Sequence, residues 1–287
     1  MKHWNYLQIS LDPGNLDRMT GLLWELGTQG IEENPKAKRV SIKAYFDGTF
    51  NIHQLAKSLR AQCQKGRLTF HGLSSEVVHE QDWFKKWREE LKPFAVGRHF
   101  YIFPSKDRTQ PSPPRRFPIW LEPGMAFGTG THETTQLCLE AMEDYLTPGG
   151  SFLDVGTGSG ILALAAVKLG AASIVACDSD RVAIQTARAN AAFNRCSSKL
   201  HLVLGEAQKV GSCLFDLIVA NLTVEIVEES LPELAGRLHS CGTLILSGIL
   251  SRQWLRLRPH FKKTGLSLTD CRKKGEWVCL VLTKRKR

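Results

Sequence analysis

Residues 152–160 read Phe152-Leu153-Asp154-Val155-Gly156-Thr157-Gly158-Ser159-Gly160, and Ile161-Leu162-Ala163-Leu164-Ala165-Ala166 follows. An apolar run stops at an acid, turns on glycines and resumes with helical composition, which predicts a strand, a tight turn and a helix N-terminus. Glycine admits positive φ and lets a ligand approach the main chain, where the free amide N–H groups of a helix start favour a nucleotide-like cofactor. The dinucleotide fingerprint places glycines at the first, third and sixth positions. Counted from Gly156 the sixth position is Ile161, so that fingerprint fails; the glycines fall at the first, third and fifth positions.

This form, with Asp154 just ahead of it, resembles the first motif of S-adenosylmethionine-dependent methyltransferases of the doubly wound type. A second acid supports the likeness. Ile174-Val175-Ala176-Cys177-Asp178 is a short apolar strand ending in a carboxylate 22 residues beyond Gly156, and an acid at the tip of the second strand can take both ribose hydroxyls in either cofactor class.

Downstream, strand and helix patterns alternate. A helix runs from Asp180 through Ala187 and Ala191, and Leu200, Leu202 and Leu204 suit a third strand ending at Gly205-Glu206-Ala207. Phe215-Asp216-Leu217-Ile218-Val219-Ala220 is a fourth with Asn221-Leu222 at its tip, and Thr243–Gly248 is a fifth. A helix around Trp254–Phe261 precedes a terminal strand pair, Leu266–Leu268 and Trp277–Leu282. Such βα units predict an α/β, doubly wound, mostly parallel sheet with its ligand at the strand C-terminal ends, where Gly156, Asp178 and Asn221 fall.

Upstream, Glu122-Pro123-Gly124-Met125-Ala126-Phe127-Gly128-Thr129-Gly130-Thr131-His132-Glu133-Thr134-Thr135 is a glycine-threonine loop entering a helix with Leu137, Cys138, Leu139 and Met142. Small residues and hydroxyls before a helix start make a seat for a carboxylate, or simply an entry loop capped by Thr131 or Thr134. Prolines 111, 113, 114 and 118 mark a surface loop over 105–118. Trp83, Phe84, Trp87 and Leu91 form one stripe of an amphipathic connecting helix. The first 80 residues read as βαββαβ, a small α+β ferredoxin-like module: Leu7, Ile9 and Leu11 alternate, Leu16 to Leu26 are helical, and a strand lies near Gly30–Glu32. Val40 to Phe46 alternate, Ile52 to Cys63 are helical, and a last strand begins at Leu68. It holds no catalytic constellation, which suits recognition or docking. The expected division is 1–80, a linker over 81–104, and 105–287.

Length (287 residues), 43% hydrophobic and 23% charged composition fit one large and one small globular domain. No apolar run reaches the ~18 residues that span a bilayer, and Met1-Lys2-His3-Trp4-Asn5-Tyr6 lacks a signal-peptide core, so a soluble cytoplasmic protein with no membrane contact is expected. The eight cysteines include no C-x-x-C pair, which points to buried reduced thiols and to no metal site. The net charge of +10 is concentrated in residues 81–121 and in the end of the chain. The tail Lys284-Arg285-Lys286-Arg287 reads as a solvated end, or as a weak contact to ribosomal RNA or another polyanion.

Taken together, the 122–135 loop, Asp154–Ala163 and Asp216-Leu217-Ile218-Val219-Ala220-Asn221-Leu222 resemble the ribosomal protein L11 methyltransferase family, and the likeness runs over nearly the whole chain. The resemblance implies a seven-stranded methyltransferase sheet, Rossmann-like. It also implies contacts from Thr135, Gly156, Asp178 and Asn221 to S-adenosylmethionine (product S-adenosylhomocysteine), and an N-terminal module that grips L11, whose lysines and N-terminal amine are the acceptors. Asp154, Gly158, Phe127 and Glu206 complete the candidate cofactor set, and Asn221 is the candidate catalytic residue: a neutral carbonyl can accept from an amine without holding it as ammonium. Asp154 is expected to organise the glycine turn and the methionine amine. Thr157, Glu133 and Ser179-Asp180-Arg181 depart from the family pattern, where a cysteine, a proline and a more apolar turn are usual. Two other readings share these residues: a methyltransferase for a different protein's lysine, a glutamine amide or an RNA base, and a non-catalytic RNA-associated protein. The absence of a Pro-Pro-aromatic continuation after Asn221 counts against amide and base acceptors.

Overall fold

The structure is a computed structural model and describes residues 3–28, 30–36, 39–66, 68–79, 92–104, 108–122 and 130–286. The chain divides into two compact units, Met1–Glu90 and Leu91–Arg287. The amphipathic helix expected over 81–91 lies outside the described residues.

In the first unit the order is β1 (His3–Leu11), α1 (Leu16–Glu25), β2 (Gly30–Lys36), β3 (Arg39–Asp47), α2 (Ile52–Lys65) and β4 (Gly72–His79). The sheet order is β2-β3-β1-β4 and every pairing is antiparallel, which is the ferredoxin-like arrangement. Strand alternation puts Leu7, Ile9, Leu11, Val40, Ile42, Ala44 and Phe46 on one buried face, where Met19 and Leu23 of α1 and Leu55, Leu59 and Cys63 of α2 cover it. The last strand begins at Gly72 rather than Leu68. Gly66 N donates to Gln62 O and Leu68 N reaches back to Cys63 O at 2.9 Å, so the chain after α2 still satisfies helix carbonyls before it can turn extended.

The second unit opens with β5 (Phe94–Val96), β6 (Phe100–Phe103) and β7 (Phe117–Trp120), a three-stranded sheet of its own; residues expected only to connect the domains thus contribute two strands. Then come α3 (Glu133–Tyr145), β8 (Ser151–Val155), α4 (Ile161–Lys168), β9 (Ser173–Asp178), α5 (Arg181–Phe193), β10 (Leu200–Leu204) and β11 (Phe215–Asn221). The unit closes with α6 (Val224–Gly236), β12 (Leu238–Leu250), α7 (Arg258–Lys263), β13 (Leu266–Lys274) and β14 (Trp277–Lys284).

The main sheet has seven strands in the order β10-β9-β8-β11-β12-β14-β13, parallel except for β14, which is antiparallel to both neighbours. Alternate residues feed two apolar layers. Phe152, Leu217, Val219, Ile245 and Val281 meet α3 and α4 on one face. Leu153, Ile218, Ala220, Leu244 and Leu280 meet α6 and α7 on the other. Burial on both faces explains why these strands read as continuous apolar runs. The chain steps outward from β8 to β10 and then returns to β11 on the other side of β8, so the strand order reverses between β8 and β11. In such a sheet the crevice for a ligand opens there, at the strand C-terminal ends.

Among the described residues no helix is long and apolar enough to cross a membrane. Cys63, Cys138, Cys177, Cys196 and Cys279 are buried free thiols, whereas Cys213, Cys241 and Cys271 are exposed.

Candidate active site

The glycine turn leaves β8 with positive φ at Gly156 (73°), Gly158 (53°) and Gly160 (82°). Its amides at Gly156 and Thr157 both donate to Cys177 O, at 2.9 and 3.0 Å, which fastens the turn to the end of β9. A β-carbon at Gly156 would stand 2.5 Å from Leu222 Cδ2, so the leucine would have to shift, and the φ of 73° itself favours glycine there. Gly160 caps α4 in the left-handed region, and the third glycine lets α4 approach Ala187 of α5, whose Cβ lies 3.1 Å from where a β-carbon would be.

Asp178 ends β9, partly exposed, with Oδ2 accepting from Gly158 N at 2.9 Å and Oδ1 from Asp180 N at 2.9 Å. Each carboxylate oxygen keeps further acceptor capacity. Asp154 is wholly buried: Oδ2 accepts from Thr157 Oγ1 at 2.7 Å and from Ala163 N at 3.2 Å, while Oδ1 has no partner among the described residues. Burial pushes this carboxyl up to about 7, against the pull of those two hydrogen bonds and with the Asp178 charge adding to the rise. Thr157 is thereby a donor that ties the turn to Asp154.

Across the switch point, Asn221 ends β11 and meets α3. Its Nδ2 donates to Thr135 Oγ1 at 3.4 Å, and its buried Oδ1 has no partner among the described residues. Thr135, only 1% exposed, lies in the first turn of α3, which is capped by His132 rather than by either threonine: Nδ1 accepts from Thr134 N at 3.3 Å and meets Thr134 Oγ1 at 2.8 Å. Ser247 of β12 joins the two tips. Its Oγ donates to Thr134 O at 3.1 Å and its carbonyl accepts from Leu222 N at 3.0 Å.

Thr135 and Asn221 are thus in contact, and Gly156, Gly158, Asp154 and Asp178 form a second connected group linked to the first through Leu222. Glu206 is exposed beyond β10, beside the Asp178 backbone through Gly205 N to Asp178 O at 2.8 Å. Phe127 lies outside the described residues.

Sequence reasoning passed over Asn190 and Asn194 of α5. Asn190 Nδ2 donates to Ser159 O at 2.8 Å and its Oδ1 accepts from Glu122 N at 2.9 Å. Asn194 accepts from Trp120 N at 3.1 Å and donates to Trp120 O at 2.6 Å. Two buried amides on one helix therefore hold both the glycine turn and the segment entering the 122–135 loop. No local pattern distinguishes a buried helical asparagine from an exposed one.

A nucleoside with a zwitterionic tail fits these groups. Asp178 offers acceptors for hydroxyls, the turn offers a close backbone approach, and Asn221 and Asp154 each hold a buried oxygen short of a partner, which is costly unless a ligand or water completes it.

The family model described as ribosomal protein L11 methyltransferase (PrmA) matches residues 3–285. Proteins named ribosomal protein L11 methyltransferase are similar along the chain. One from Caldicellulosiruptor saccharolyticus is 34% identical, covering 94% of this chain and 95% of its own length. One from Staphylococcus aureus is 33% identical, covering 97% and 98%. Among solved structures, the ribosomal protein L11 methylase of Lactobacillus delbrueckii subsp. bulgaricus aligns with a TM-score of 0.64 at 33% identity, over 68% of this chain and 100% of that one.

Proposed function

The chain belongs to the ribosomal protein L11 methyltransferase family, and from that premise we propose that it methylates amino groups of ribosomal protein L11, lysine side chains and the N-terminal amine, with S-adenosylmethionine as donor. The observation that carries this reading is the buried, unpartnered Oδ1 of Asn221 at the tip of β11, across the switch point from the glycine turn.

When bound, S-adenosylmethionine supplies an electrophilic methyl group on a positively charged sulfur. Asp178 accepts from the ribose hydroxyls, Gly156 and Gly158 give backbone access, and Thr135, Phe127 and Glu206 complete the binding set. Asp154 sits behind the turn, holding Thr157 and the first turn of α4 in place for the methionine end.

A free lysine has pKa near 10.4, so only about one in 10³ is neutral at pH 7, and the site must accept that form. Asn221 Oδ1 takes an N–H of the incoming neutral amine and aims its lone pair. A carboxylate in that place would stabilise the ammonium instead. Positioning of this kind is worth up to ~7–11 kcal/mol in well-oriented systems.

The N-terminal unit serves substrate recognition, the basic tail adds a weak contact to ribosomal RNA, and a cytoplasmic location fits both. Incubation with labelled methyl donor and unmethylated ribosomal proteins tests the reading: label is expected in the L11 band, on amines. Label in another band, or in amides, would exclude it.

A further inference from the structure

Arg98, Arg237, Arg256, Arg272 and Lys274, all in the second unit, each meet a carboxylate. The first unit holds a contrasting set. Helix α2 carries His53, Lys57, Arg60 and Lys65 and has no acidic residue anywhere in Ile52–Lys65. His53, Lys57 and Arg60 recur at helical spacing, so they form one exposed stripe. Among the described residues no ion pair or hydrogen bond reaches their side chains.

The stripe does not face open solvent alone. It forms one wall of a cavity of about 330 Å³ whose other wall is β4 at Leu73, Ser74 and Ser75. A second cavity of about 370 Å³ shares Arg60 with it and is lined also by Phe70, which is half-buried against the apolar core of the unit. The opposing segment Leu68–Ser75 also lacks an acid, and its one histidine, His71, already meets Asp12 at 2.8 Å. Strand β4 is at the sheet edge, so alternate backbone groups along its free side lack a strand partner.

A cationic groove with an aromatic side chain at one end is the chemistry that holds a single nucleic-acid strand: cations follow the phosphates and the ring stacks on a base. An acidic peptide would use the cations but leave the face of Phe70 idle. Serine hydroxyls, donors and acceptors at once, suit the ribose 2′-hydroxyl. We propose that the groove between α2 and residues 68–75 binds a segment of single-stranded RNA, with phosphates on His53, Lys57 and Arg60 and a base on Phe70. This site is separate from the basic tail and does not depend on the methyl-transfer reading.

The test is fluorescence anisotropy of the full chain with a labelled twelve-residue oligouridylate across a potassium chloride series. The two cations Lys57 and Arg60 predict a slope of about −1.4 in log affinity against log salt, and the double variant Lys57→Glu with Arg60→Glu, melting at the wild-type temperature, loses about tenfold or more in affinity with a shallower slope. Phe70→Ala weakens binding about threefold or more with the slope unchanged. Lys286→Ala with Arg287→Ala leaves binding within about twofold, since the described lining of the groove belongs to the first unit. Wild-type affinity in the charge-reversed variant would overturn the proposal. So would loss of binding in the tail variant, oligothymidylate bound as tightly as the RNA, or equal competition by a twelve-residue polyglutamate.

Discussion

A β-carbon placed on Gly248 would stand 2.4 Å from the carbonyl oxygen of Leu222. Gly248 has φ 82°, and the residue before it accepts the Leu222 N–H, so β12 presses against the turn that carries Asn221. Gly248→Ala adds left-handed strain of ~1–2 kcal/mol per residue to a backbone collision. A total loss of roughly 2–4 kcal/mol in chemical denaturation is expected, with turnover falling further than stability alone explains. A variant with wild-type stability and rate would show that the two backbones separate freely.

Asp178 accepts from Gly158 N and holds the proposed ribose site. Asp178→Ala removes charged acceptors worth about 1.5–3 kcal/mol each, so calorimetry should find cofactor affinity reduced about tenfold or more, ahead of any change in turnover at saturation. Asp178→Asn keeps an acceptor for Gly158 N and should retain more of it. Unchanged affinity in the alanine variant removes Asp178 from the site.

Asp154 titrates from about 7 in the folded chain against about 3.9 in an unfolded one. The folded state therefore binds the proton more tightly. Its contribution to stability is full below pH ~4, declines as pH rises toward ~7 and is constant above that. Asp154→Asn abolishes this titration, so its melting temperature should fall less between pH 5 and pH 8 than that of the wild type. Parallel melting profiles for the two proteins would place the carboxyl in an ordinary environment.

Asn190 and Asn194 sit one turn apart yet hold different partners. Asn190→Ala removes its hydrogen bonds to Ser159 O and Glu122 N, at about 1 kcal/mol or more each, and should weaken cofactor binding about tenfold. Asn194→Ala releases only the Trp120 backbone and the bond to Asn190 O, so stability falls while cofactor affinity stays within about threefold. Equal losses of affinity in the two variants would mean that the clamp acts through general stability.

Much of the site was legible because its determinants are local. A glycine turn after an apolar run fixes a strand end and a helix start, and Asp178 and Asn221 follow from ending the next apolar runs. Alternation likewise located the βαββαβ unit and most of the seven-stranded sheet. Other features depend on distant partners. Strands β5–β7 are three or four residues long, and β7 contains Pro118 and pairs in parallel with β6, so neither length nor composition announces them. Helix α6 carries Pro232 inside it, a residue that ordinarily ends a helix, so its pattern does not announce it. Strand β12 begins at Leu238, well before the apolar core at Thr243 that its pattern displays. The capping of α3 by His132 and the grip of Asn190 on two loops are tertiary facts that no periodicity encodes.

The most direct measurement is kcat on unmethylated L11 together with cofactor affinity for Asn221→Ala. If Asn221 Oδ1 aims an uncharged amine, kcat falls about a hundredfold or more while cofactor affinity changes less than about threefold. Equal losses of both, or a variant that turns over at the wild-type rate, would contradict that role.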